Sequence, residues 1–276
     1  MISVKSAQKK AALQGGFFAK NELKRAENES IIIFDKKLTL KEKRKEKKML
    51  YIIDTANTED IKRLVEFYPI DGVTTNPTII SKEHTDFLSL VKKIREIIGE
   101  QRMFHIQVTG TTSDKMIYEA RKLREYVGGN FYVKVPICEE GLRATMKLKE
   151  EGFNVTMTAI FTQQQALIAA KAGADFVAPY VNRLDNIVSD GVSVVTETVE
   201  MFKKQNIDCG VLAASFKTVE QLHKVAMTGC QAVTLSADLF STLMYHPMTN
   251  KAIYDFGQDW KGVYGDATIA DMFETK

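Results

Sequence analysis

Residues 103–135 read MFHIQVTGTTSDKMIYEARKLREYVGGNFYVKV. An apolar run, Met103–Val108, is followed by a turn rich in Thr and Gly. Next comes Ser113–Tyr126, in which Met116, Ile117, Ala120 and Leu123 recur at helical spacing with Lys, Arg and Glu between them. A second apolar run, Phe131–Val135, closes the stretch. Short continuous apolar runs suit strands covered on both faces, and a 3.6-residue period suits a helix with one apolar stripe. The unit therefore reads as strand, helix, strand, with the two strands parallel.

The same alternation extends in both directions from this stretch. Apolar runs fall at Leu50–Ile53, Gly72–Thr74, Met103–Val108, Phe131–Val135, Asn154–Met157, Phe176–Ala178, Cys209–Ala213 and Ala232–Leu235. Amphipathic segments lie between them at Thr58–Phe67, Phe87–Ile98, Ser113–Tyr126, Gly141–Glu151, Gln163–Ala172, Val192–Lys204 and Thr218–Met227. Thr58 and Thr112 or Ser113 are placed to cap helices, and Gly152, Gly173 and Gly229 to end them. Eight regular units favour a closed barrel over an open doubly wound sheet, and no GxGxxG follows the first run. The expected fold class is α/β, a (β/α)8 TIM barrel over residues 49–265. Ser236 to Trp260 reads as an extra C-terminal helix, with Trp260 anchoring a tail at 266–276.

The chain has 276 residues, 45% hydrophobic and 26% charged, the composition of a globular protein. No run approaches the roughly 18 apolar residues of a membrane span, and no signal peptide is legible, so a cytoplasmic protein is expected. Three cysteines without a CxxC pair argue against a disulfide framework or a zinc cage and read as reduced thiols. The charge is uneven. Residues 1–48 carry fourteen Lys and Arg against six Asp and Glu, which leaves 24 against 29 for the rest. That basic segment reads as a disordered extension. Nucleic-acid binding is not expected of it, because no aromatic residues are interleaved with its charges. Lys45-Glu46-Lys47-Lys48-Met49 can also be encoded with AGGAG ahead of ATG, so a biological start at Met49 and an upstream translation artefact is a further expectation.

Functional residues of such a barrel belong at the C-terminal ends of its strands. Polar residues stand there: Asp54 after the first run, Thr74, Thr75 and Asn76 after the second, Gln107 on the third, Thr158 on the fifth, Tyr180 and Arg183 after the sixth, Ser215 and Lys217 after the seventh. Lys134 lies within the fourth. Lysine is rarely buried without a role, and desolvation lowers its pKa. A neutral amine there can attack a ketone, and the resulting imine is an electron sink for carbon–carbon cleavage. The blander alternative is a lysine that packs its stem and pairs with a carboxylate. Tyr180 could equally be a core tyrosine, and Arg183 and Lys217 solvated charges. Four histidines, His84, His105, His223 and His246, form no HxH or HxxxH pair, so no metal site is expected. His105 shares a strand face with Gln107 but sits lower, and reads as core.

Five motifs, Asp54-Thr55-Ala56-Asn57, Gly72-Val73-Thr74-Thr75-Asn76-Pro77, Val133-Lys134-Val135-Pro136, Ala178-Pro179-Tyr180-Val181-Asn182-Arg183 and Ala213-Ala214-Ser215-Phe216-Lys217, resemble in order the transaldolase family, and more closely its fructose-6-phosphate aldolase branch. The resemblance runs from about Met49 to Gly265. It implies a Schiff-base lysine at Lys134, no metal or other cofactor, and a cytoplasmic homo-oligomer, typically a decamer whose C-terminal helix reaches a neighbour. Transaldolases resemble one another in having Glu and Phe where this chain has Gln107 and Tyr180. A tyrosine hydroxyl can move a proton that phenylalanine cannot. The resemblance further implies Tyr180, with a water held by Gln107 and Thr158, as the proton-transfer group. It implies Asp54 and Asn76, supported by Thr74, as holding substrate hydroxyls, and Arg183, Ser215 and Lys217 as binding the phosphate of a sugar phosphate. The expected reaction is cleavage or formation of fructose 6-phosphate from dihydroxyacetone and glyceraldehyde 3-phosphate. Transaldolase transfer of dihydroxyacetone in the pentose phosphate pathway is the alternative, and a non-catalytic sugar-phosphate-binding barrel a more distant one.

Overall fold

A computed structural model describes residues 48–274. The expectations for the basic segment fall almost wholly on residues 1–47, outside the described residues.

Eight parallel strands close into a barrel in sequence order. They are β1 (Leu50–Asp54), β2 (Gly72–Thr74), β3 (Met103–Gln107), β4 (Phe131–Pro136), β5 (Asn154–Ile160), β6 (Phe176–Pro179), β7 (Gly210–Ala213) and β8 (Ala232–Leu235). The ring is sealed where β1 pairs with β8, Ile52 opposite Thr234. Side chains alternate between two cores, as the pleat requires. Ile53, Val73, Phe104, Ile106, Val133, Val135, Val155, Val177, Val211 and Val233 point outward into the main apolar cluster under the helices. Ile52, Met103, Phe176, Leu212 and Ala232 point inward and fill the lower barrel, with Leu50 and Tyr132 against them. Above this apolar plug the interior becomes polar while remaining buried: Thr74, His105, Lys134, Thr156, Thr158 and Thr234 are each at most 5% exposed.

The covering helices are α1 (Thr58–Phe67), α3 (Phe87–Ile98), α4 (Ser113–Val127), α5 (Glu139–Glu150), α6 (Gln163–Lys171), α8 (Gly191–Lys204) and α9 (Val219–Ala226). Two short helices, α2 (Pro77–Ser81) and α7 (Val181–Asp185), occupy the loops after β2 and β6, where five residues are too few to show a periodic stripe. The helix ends expected at Gly152, Gly173 and Gly229 are there, and all three have positive φ. The N-terminal expectations need correction. α1 is capped by the side chain of Asn57, not Thr58, which accepts from the amides of Glu59 and Asp60. Thr112 is the N-cap residue of α4, as expected, but its side chain makes no cap bond, and the Ser113 amide donates to Glu140 Oε2 at 2.6 Å. Helix α5 packs so closely on the end of β4 that a Cβ on Gly141 would stand 2.0 Å from the Pro136 carbonyl oxygen.

The C-terminal region is helical as expected: α10 (Ala237–Met244), α11 (Pro247–Tyr264) and α12 (Asp271–Glu274). α10 buries Leu239 and Phe240 against the barrel, whereas α11 buries none of its residues. Trp260 Nε1 donates to the Ala267 carbonyl at 2.7 Å, which holds the following turn against α11. Among the described residues no helix is long and apolar enough to cross a membrane.

Candidate active site

The upper barrel gathers its polar residues around Lys134. The Lys134 stem rises from the middle of β4, and Nζ donates to the Thr75 carbonyl at 2.9 Å. Burial pushes the Lys134 ammonium below the ordinary lysine range, opposed by the nearby Asp54 carboxylate. Thr75 is fixed in turn, since its amide and Oγ1 both donate to the His105 carbonyl, at 2.9 and 3.1 Å. Lys134 stands opposite Gln107 on one side and Thr156 on the other, so the three share one level of the barrel.

Asp54 ends β1 opposite Thr74. Thr74 Oγ1 donates to Asp54 Oδ1 at 2.7 Å and lies 2.6 Å from Thr234 Oγ1. Thr74 has one hydroxyl proton and spends it on the carboxylate, so Thr234 is the donor in the second bond. The relay Thr234–Thr74–Asp54 thus aims a carboxylate at the amine's neighbourhood. Sequence reading missed Thr234, because a threonine in a strand is ordinary. Only its inward parity, two residues from Ala232, could have marked it.

On the opposite wall, Thr158 Oγ1 and the Tyr180 hydroxyl are 3.1 Å apart. Phe161 meets the Tyr180 ring edge-on at 5.5 Å, and the Arg183 guanidinium lies over its face at 4.7 Å. Arg183 and Lys217 are exposed and Ser215 half-buried. Ser215 has a positive φ of 65°, and its carbonyl accepts the Asn182 amide at 2.8 Å, which ties the loop after β7 to the start of α7. Asn76 caps α2, its Oδ1 accepting the Ile79 amide at 3.0 Å. Gln107, Asn76 and Thr75 line a groove of about 480 Å³ whose far wall is apolar, with Phe87, Tyr118 and Tyr126 among its residues.

Beneath Lys134, His105 is fully buried. Its Nδ1 is 3.0 Å from Thr156 Oγ1, and its ring stacks on Tyr132 with centroids 4.5 Å apart. Burial, and secondarily the charge of Lys134, hold its pKa well below the usual histidine value. It is a core histidine, as its position on β3 suggests. Cys209 and Cys230 are buried and pushed up to about 12 and about 11 by burial, while Cys138 is exposed at the start of α5.

A buried lysine on the fourth strand, with a carboxylate on one side and a tyrosine–threonine pair on the other, is the constellation that the sequence motifs imply. Residues 51–273 match the family described as Transaldolase/Fructose-6-phosphate aldolase. The chain belongs to this family. Relatives in the family include a probable fructose-6-phosphate aldolase of Streptococcus pneumoniae, 40% identical over 80% of this chain and 100% of that protein. A probable transaldolase of Lactiplantibacillus plantarum is 37% identical over 77% of this chain and 97% of its own length. One of Symbiobacterium thermophilum is 37% identical over 79% and 99%. Membership makes the protein an aldolase/transaldolase-like enzyme. Within that family frame, the described residues include a desolvated amine at Lys134 near the Asp54 carboxylate, a Tyr180 hydroxyl beside Thr158, and the exposed cations Arg183 and Lys217.

Proposed function

We propose that the protein is a class I aldolase that cleaves or forms fructose 6-phosphate through an imine on Lys134. The observation that carries the reading is the burial of Lys134 with Nζ tied to a neutral carbonyl and its ammonium disfavoured. A neutral amine attacks the ketone carbon, water leaves, and a protonated imine remains. Tyr180, through the water beside it, then relays away the proton of the hydroxyl on the far carbon of the bond to be broken. The bond's electron pair moves into the imine, glyceraldehyde 3-phosphate departs, and protonation and hydrolysis of the enamine release dihydroxyacetone. Asp54 is placed to move protons during imine formation, and Gln107 with Thr158 to hold the water that serves Tyr180. Asn76 and Thr74 border the hydroxyl-bearing part of the substrate. Arg183, Ser215 and Lys217 take the phosphate, which suits their place at the rim. The chemistry requires no metal or organic cofactor.

Both branches of the family share the enamine, so the balance between release and transfer turns on what happens to it. Tyr180, hydrogen-bonded to Thr158, supports release. Free dihydroxyacetone measured from fructose 6-phosphate, with and without erythrose 4-phosphate, tests this. Release independent of erythrose 4-phosphate is expected, and turnover that requires it identifies a transaldolase.

The working protein is proposed to be a cytoplasmic homo-oligomer. α11 has no buried residue, and it exposes Ile253, Tyr254, Phe256 and Val263, each more than 60% accessible. Large apolar side chains on an unpartnered helix suit an interface between copies.

A further inference from the structure

Strand β5 breaks the alternation that the other strands keep. Val155 and Met157 point outward, so Ile160 should point inward, yet Ile160 lies fully buried in the outer core beside Met157. The break is local. β5 pairs in step with β4 as far as Thr158 opposite Pro136. It pairs in step with β6 as far as Met157 opposite Val177, and then Ile160 stands opposite Pro179 where unbroken pairing would give Tyr180. Within the slipped interval Ala159 has φ +61°, a left-handed conformation that L-residues other than glycine rarely adopt.

The slip has two consequences at the site. Thr158 stays inward and fully buried, with its hydroxyl 3.1 Å from that of Tyr180. Phe161 is carried round to meet the Tyr180 ring edge-on at 5.5 Å with an interplanar angle of 81°. The Tyr180 amide is fixed by the Ile160 carbonyl at 3.1 Å, so the bulge holds both the backbone and the ring of the tyrosine. Bulges beside active sites re-aim side chains, and strain persists where the surroundings enforce it.

We infer that Ala159 is a positioning residue for proton transfer: its left-handed bulge sets the Thr158 hydroxyl and the Phe161 ring against Tyr180. It touches no reacting atom. The inference rests on the Lys134 imine reading, because it concerns the step after the imine has formed. A residue without a β-branch is required there. Glycine adopts the conformation freely, whereas valine opposes it and favours the regular pairing that would pull Thr158 and Phe161 away from Tyr180.

The test compares wild type, Ala159→Gly and Ala159→Val for fructose 6-phosphate cleavage and for borohydride trapping of dihydroxyacetone on Lys134. Ala159→Gly is expected to stay within about threefold of wild-type kcat, whereas Ala159→Val loses about tenfold or more in kcat with KM and trapping unchanged, as for a misplaced proton-transfer group. In a Thr158→Ala background the valine should cost less than in wild type, because both changes act on the Thr158–Tyr180 contact. Wild-type kcat in Ala159→Val, kcat and trapping lost together, or full additivity with Thr158→Ala would each overturn the inference. Ala159→Thr, β-branched like valine but with a hydroxyl suited to a half-buried position, replaces the valine if that variant does not fold. Wild-type protein that traps nothing contradicts the imine reading itself, a result distinct from failure of the bulge to position Tyr180.

Discussion

The amine of Lys134 is held by the backbone of Thr75, at 2.9 Å from its carbonyl oxygen. The choice of partner matters. A carbonyl accepts from an uncharged amine as readily as it needs to, and it adds no negative charge that would pin the proton on nitrogen. Asp54 is close enough to favour the ammonium, but burial outweighs it and the net effect is a lowered pKa. Desolvation therefore shifts the proposed nucleophile toward its uncharged form, with the carboxylate as a moderating influence.

That arrangement costs stability, and the sign can be worked out. The folded-state pKa of Lys134 lies below the ordinary lysine value of 10.5, so the unfolded chain binds more protons between the two values. Stability should rise with pH through that window. Lys134→Met should stabilise the fold at neutral pH by about 1 kcal/mol while abolishing activity, a stability–activity trade-off. Urea midpoints at pH 7 and in the alkaline range check this, and the advantage of the variant should shrink as pH approaches 10.5.

Tyr180→Phe should remove the hydroxyl beside Thr158 while keeping the ring against Phe161 and Arg183. Cleavage of fructose 6-phosphate is expected to fall by about 10²–10⁴-fold, the usual worth of a general acid–base group. Trapping on Lys134 should persist, because imine formation precedes the step that needs Tyr180. Steady-state kinetics paired with mass spectrometry of the trapped protein separates the two effects.

His105 gives a pH signature of its own. Its folded pKa is depressed well below 6.5, so its contribution to stability is complete above that value and is lost as pH falls towards the folded value. His105→Phe should remove this acid sensitivity while preserving the stack on Tyr132. It should still cost about 1–3 kcal/mol near pH 7.5, because Thr156 Oγ1 loses its buried partner. Denaturation at pH 7.5 and pH 5 shows whether the gap between variant and wild type closes on acidification.

At the rim, Lys217→Met should raise KM for glyceraldehyde 3-phosphate in the synthesis direction by about tenfold, the worth of one charge-assisted contact. Unphosphorylated glyceraldehyde should be nearly unaffected. Equal losses with both aldehydes would remove Lys217 from the phosphate site.

Ending the chain at Tyr245, before α11, should release smaller species in sedimentation velocity, because it removes the exposed apolar face of that helix. An unchanged sedimentation coefficient, after correction for mass, would place any interface elsewhere.

Much of this molecule was legible before its structure. The strands are mostly apolar, and Thr58–Phe67 and Phe87–Ile98 have the helical bounds that their periodicity gives. Lys134 stands out because a lysine in an apolar strand is rare. What escaped sequence reading depends on backbone conformation. The five-residue helices α2 and α7 are shorter than two turns, and Asn57 outranks Thr58 as a cap only because of where the chain turns. Thr75 acts through a carbonyl that every residue possesses. The bulge at Ala159 breaks the strict alternation by which inward and outward positions are assigned, and alanine at that position gives no warning of a positive φ.

The proposed imine on Lys134 is covalent, so borohydride reduction in the presence of dihydroxyacetone, followed by peptide mass spectrometry, detects it. A reduced adduct on Lys134 is expected, absent from Lys134→Met. An adduct on another lysine, or none in an enzyme that still cleaves fructose 6-phosphate, would contradict it.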